Sequence, residues 1–123
     1  MKKIKLISLS ALVFLGAFII KCYGGNCDQL PKKYSSYNEA VNAIKSTHFK
    51  IAETINTSKS SWVRGAAFYS CDGLTGFFIL KTDKKEYLYS EVPINIWKEF
   101  KNADSFGSYY NSYIKHRFVF KLN

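Results

Sequence analysis

Hydrophobic positions change their spacing several times along this chain, and each change predicts an element. Leu6 to Ile20 is fifteen residues without a charge, behind Lys2, Lys3 and Lys5 and ahead of Lys21. From Ser36 the spacing becomes helical, with Tyr37, Ala40, Val41 and Ile44 on one stripe. Ser36 with Glu39 three residues later has the form of a capping box, so the predicted helix runs from Tyr37 to about Ser46. The spacing then drops to two. Phe49, Ile51, Glu53 and Ile55 fall on one face of a strand over His48 to Asn56. Trp62 to Ser70, Phe77 to Thr82 and Glu86 to Val92 read as three further strands. Gly65, inside the first of these three, predicts a bulge or a close backbone approach.

The connections Asp72-Gly73 to Gly76 and Asp83 to Lys85 are tight, so the last three strands are expected to form an antiparallel meander. Pro93 suits the first position of a helix because its missing N–H needs no partner there. That helix runs to about Lys101 with Ile96, Trp97 and Phe100 as its apolar stripe. Asn102 to Ser105 ends it, and a second helix carries Phe106, Tyr109, Tyr110, Tyr113 and Ile114 to about Lys115. Arg117 to Leu122 has strand character and is expected at a sheet edge. The fold class is therefore α+β: an antiparallel sheet of three to four strands, two C-terminal helices packing Trp97, Phe100, Tyr109 and Ile114 on one sheet face, and one N-terminal helix. The whole is preceded by a hydrophobic leader.

The 123 residues hold one domain and that leader. Residues 1–24 read as a signal peptide or N-terminal anchor, 25–35 as a linker and 36–123 as a single domain. A basic start followed by a short apolar run is the form of a secretory leader. It is at the short end for a bilayer core of about 30 Å. Three fates are ordered: cleavage after Cys22-Tyr23-Gly24, retention with membrane contact through residues 4–20, and bacterial-type lipidation of Cys22, where Lys21 departs from the usual small residue. The domain is accordingly expected to be exported: periplasmic, secreted or membrane-anchored.

Export changes the reading of the cysteines. Loss of residue 22 with the leader leaves Cys27 and Cys71, a candidate disulfide in an oxidising compartment. The charge changes less. Of the formal +9, four positives lie at Lys2, Lys3, Lys5 and Lys21, leaving +5 interspersed with acids as on a solvated surface.

The C-terminal half also carries a pattern. Ser60-Ser61, Tyr69, the strand from Phe77 to Leu80, Tyr87-x-Tyr89-x-x-Val92-Pro93, Trp97, Phe100, Ala103, Ser105, Gly107 and Tyr109 together resemble the KTSC domain over residues 60–117. The family is named for its occurrence at the C-terminus of some lysyl-tRNA synthetases. The resemblance brings no established molecular activity with it. Its tRNA-synthetase setting implies, at most, an RNA-binding accessory role.

Ala103-Asp104-Ser105-x-Gly107 is the most site-like sequence. Ser105 and the N–H groups opening the last helix form a candidate anion or carboxylate site. Against this stands a simple helix cap at Ser105 with Gly107 permitting close packing, and caps are the commoner use. Nineteen aromatic residues follow Lys21, more than a domain this size usually hides. Tyr109, Tyr110 and Tyr113 are therefore expected as an exposed binding patch. His48 and His116 have nothing near them in sequence to fix a tautomer. The cysteine and histidine spacings match no metal site, and no phosphate loop, dinucleotide glycines or nucleophile elbow is present. No catalytic residue, metal or cofactor is assigned. The leading expectation is an exported, non-enzymatic module with a protein or peptide partner. The alternatives are an RNA-binding accessory domain and, behind it, a small hydrolase using Ser105 or His116.

Overall fold

The computed structural model describes residues 26–122, so the leader and Cys22 lie outside the described residues. Four strands form one antiparallel sheet in chain order: β1 (Ile51–Ile55), β2 (Gly65–Ser70), β3 (Thr75–Lys81) and β4 (Glu86–Pro93). Helix α1 (Tyr37–Lys45) precedes the sheet, and α2 (Ile94–Lys101) and α3 (Phe106–Tyr113) follow it.

Helices cover both faces of the sheet. Period-two alternation sends Phe78 and Leu80 of β3 to one side with Phe68, Tyr89, Trp97, Phe100, Phe106 and Ile114. It sends Phe77 and Ile79 to the other side with Leu88, Ala40, Val41 and Ile44 of α1. The sequence reading put the C-terminal helices on one face and left α1 without a seat. The two clusters show why it takes the opposite face, because β3 is apolar on both sides and needs two covers.

Trp97 anchors the first cluster. Its ring is fully buried, stacked on Phe68 at 5.4 Å and on Phe100 at 5.9 Å between centroids. The indole N–H donates to Glu53 Oε1 at 2.6 Å, and Lys101 Nζ reaches the same oxygen at 3.0 Å. These bonds hold the Glu53 carboxyl below the usual carboxylate range, the Trp97 bond first. Glu53 thus shares a face with Ile51 and Ile55, as its spacing predicts. Phe49 does not. The strand begins two residues after it, and its ring turns to the α1 side against Tyr69 and Phe77.

The bulge is not at Gly65, which stays in register with Lys81. The extra residue is on β4, where Ser90 and Glu91 face the single Phe77 between the Gly76–Val92 and Phe78–Tyr89 pairs, and Glu91 takes a φ of 56°. A Cβ at Gly76 would sit 2.3 Å from the carbonyl oxygen of Tyr69, so only glycine fits between the paired strands. Pro93 still pairs with Thr75 and serves as the N-cap of α2, one position ahead of the predicted one. Ser36 caps α1 by accepting from the Glu39 N–H at 3.1 Å. The returning half of the box goes to Ser35, whose N–H and hydroxyl both donate to Glu39 Oε1.

The stretch read as a linker is partly built into the domain. Cys27–Gln29 forms a 3₁₀ turn, the Cys27 N–H donates to His48 at 3.2 Å, and Cys27 is disulfide-bonded to Cys71 with Cα atoms 5.7 Å apart. Tyr34 is buried against Phe120. At the other end Arg117–Leu122 adds only a Tyr89–Val119 bridge to the sheet.

Candidate functional site

The Ser105–Gly107 junction is a packed corner. Ser105 Oγ accepts from the Ser108 N–H at 3.2 Å and donates to Ser108 Oγ at 3.0 Å, closing the first turn of α3. Gly107 is buried because the Trp62 indole lies on it. A Cβ there would stand 2.4 Å from Trp62 Nε1. The sequence reading treated Trp62 as the start of a strand. It is instead a loop residue, 36 % exposed, covering the corner that the glycine leaves open.

The three tyrosines separate by helical geometry. Phe106, Tyr110 and Ile114 recur every four residues and point into the core. Tyr110 is 4 % exposed, which corrects its place in an exposed patch. Its hydroxyl is hydrogen-bonded to that of Tyr89. Burial pushes both phenols above their ordinary range. Tyr109 and Tyr113 form the adjacent stripe, with centroids 4.6 Å apart. Tyr109 is half-buried and donates to Glu99 Oε1 at 2.7 Å; burial and then this bond raise its pKa. Tyr113 is the exposed member. The five predicted site residues therefore share one helix and its cap but do not converge on one surface.

A cleft of about 690 Å³ lies beside them. Tyr37 and Asn38 of α1 border it on one side, Tyr110, Lys115 and His116 on the other, and the β3–β4 hairpin from Lys81 to Tyr89 runs between. Lys81, Lys84, Lys85 and Lys115 set its charge. Two carboxylates also border it, but each is paired to a cation outside the cleft: Glu86 to Lys45 at 2.6 Å and Asp83 to Arg64 at 2.9 Å. Lys85 Nζ lies 4.8 Å from the Tyr87 ring centroid. His48 does not border this cleft; it bridges to Asn26. Among the described residues, no group of three or more histidines, cysteines or acids could hold a metal ion.

The fold and cleft define a small α+β domain with a cationic, tyrosine-lined groove at one end of its sheet. The family model of the KTSC domain matches residues 79–118, from Ile79 in β3 through β4, α2 and α3 to Phe118. No curated protein and no solved structure matches the chain. The matched segment contains most of the cleft. It begins later than the resemblance read from the sequence, leaving out Ser60, Ser61 and Tyr69. Within it Tyr89, Val92, Trp97, Phe100 and Gly107 are buried, so these pattern residues serve packing.

Proposed function

We propose that this chain is an exported binding module without catalytic chemistry, and that its partner is a protein or peptide. The cleft beside β4 is the observation that carries this reading. It is a preformed concave surface of ligand-binding size, walled by tyrosines and rimmed by lysines. Ser105, the one nucleophile singled out in the sequence, spends its hydroxyl on capping α3. The disulfide between Cys27 and Cys71 supports export, since such bonds persist in oxidising compartments.

Panning a random displayed-peptide library against the oxidised protein tests the binding reading. A shared sequence pattern should enrich over a reduced, denatured control. No enrichment would overturn the reading. Export is tested separately by the intact mass of the native protein, with and without reduction and alkylation. The expected species lacks about the first 24 residues and is two hydrogens light. A full-length chain with free thiols would contradict export, and a lipid-sized gain on Cys22 would make the protein membrane-anchored.

A further inference from the structure

We propose that the cleft takes an acidic segment of its protein partner, bound extended as a short additional strand on the outer edge of β4. This deepens the binding reading and rests on it. The cleft is bordered by residues of both helical layers, Tyr37 from one and Tyr110 from the other, with Glu86 to Tyr89 between them. Its lining also runs along one strand, from Glu86 to Tyr89, with Val119 beside it, so the cleft reaches from the hairpin end onto a sheet edge. Here the edge is that of β4, the last strand in the order β1-β2-β3-β4.

Part of this edge is already used, which shows how a strand docks there. The Ser90 N–H donates to the Phe118 carbonyl at 3.0 Å, and Val119 bridges Tyr89 in antiparallel sense. The chain then leaves the edge. The Phe120 ring is buried under α1, and its carbonyl accepts from the Tyr37 hydroxyl at 2.9 Å. Backbone groups on a strand alternate sides, so Leu88 and Glu86 present theirs on the same edge as Ser90. That length of edge borders the cleft. Unpaired edge groups are a template for an incoming strand.

Charge selects the partner. Lys81, Lys84, Lys85 and Lys115 face the cleft, and among the described residues none of them forms an ion pair. An added strand presents alternate side chains to opposite sides. A segment alternating acidic and apolar residues would set carboxylates among these lysines and apolar groups against Tyr87 and the exposed Val119. Nucleic acid fits less well. Its stacking platforms need open rings, usually beside arginine, whereas Tyr89 and Tyr110 are buried and no arginine borders the cleft.

The test is fluorescence anisotropy with a labelled hexapeptide of alternating glutamate and valine, against the same peptide with lysine for glutamate. The glutamate peptide should bind, more weakly as salt rises, and the lysine peptide should not. Lys84→Glu with Lys115→Glu should weaken binding by roughly tenfold or more, both being exposed rim charges that leave the fold intact. N-methylation at alternate peptide amides, which removes the ladder donors, should weaken it comparably. Four results would overturn the proposal: no binding of the glutamate peptide, indifference to N-methylation, displacement by a single-stranded oligouridylate, or loss on Tyr113→Ala while Lys84→Glu/Lys115→Glu binds normally. If library panning still enriches peptides, the binding reading survives such a failure and only the edge-strand assignment falls.

Discussion

Single residues in this domain are held by contacts that make sharp predictions. The Trp62 indole fills the space where a Gly107 side chain would stand, so Gly107→Ala should cost about 1–3 kcal/mol by overpacking. Trimming the indole to alanine makes room for the added methyl. Most of that cost should therefore vanish in the Gly107→Ala, Trp62→Ala pair, which denaturant melts of the four variants would measure as a coupling energy. Trp97→Ala, by contrast, removes a fully buried ring and orphans part of the Glu53 carboxylate, and should cost about 3–5 kcal/mol. The buried Tyr89 and Tyr110 hydroxyls make a third case. Their folded pKa values are raised, so their contribution is complete below the unfolded phenol value of about 10 and is lost as pH climbs toward the folded values. Stability should fall steeply above pH about 10. Tyr89→Phe should flatten that fall, as followed by urea melts across alkaline pH.

At the scale of elements, what could be read from the sequence depended on whether the signal was local. The α1 cap, the β2–β3–β4 meander and the two C-terminal helices are written in period and turn chemistry, and the structure contains them. The bulge was not legible, because it exists only in how β4 pairs with β3, where Ser90 and Glu91 stand opposite Phe77. Tyr110 was misplaced for the same kind of reason. Helical spacing groups it with Phe106 and Ile114, yet which stripe faces the sheet is decided by Trp97, Phe100 and Tyr89 from other elements. Trp62 carried no periodic signal at all. Glu53 shows an element contact with a pH signature, since it ties β1 to α2 through Trp97 and Lys101. Its depressed carboxyl contributes stability present above the unfolded value of about 4.3 and lost as pH falls through the folded one. The carboxylate is nearly half exposed, so the effect is expected at about 1 kcal/mol or less. Glu53→Gln should reduce the acid-side slope of stability while leaving the neutral value within that margin.

On the whole-molecule scale, the domain is a sheet with two covered faces and two different ends. One end is closed covalently. The Cys27–Cys71 disulfide closes a loop of 44 residues in sequence separation and should contribute about 4 kcal/mol in the chain-entropy account. A Cys27→Ser, Cys71→Ser pair should melt correspondingly earlier, and reduction should reproduce the shift in the native protein. The other end is the cleft, where the β4 edge runs on beyond its last pairing with the chain's own tail. Of the residues first singled out, only Tyr110 and His116 border that end, because the cleft is assembled from side chains of α1, the β3–β4 hairpin, α3 and the turn after it. The most direct test of the account is a two-dimensional amide NMR titration of the oxidised protein with the glutamate–valine hexapeptide. Edge binding predicts shifts centred on Glu86 to Ser90, Lys115 and Val119, with new protection from hydrogen exchange at the Glu86 and Leu88 amides. Shifts centred on Ser105, Tyr109 and Tyr113, with the β4 amides unmoved, would contradict it.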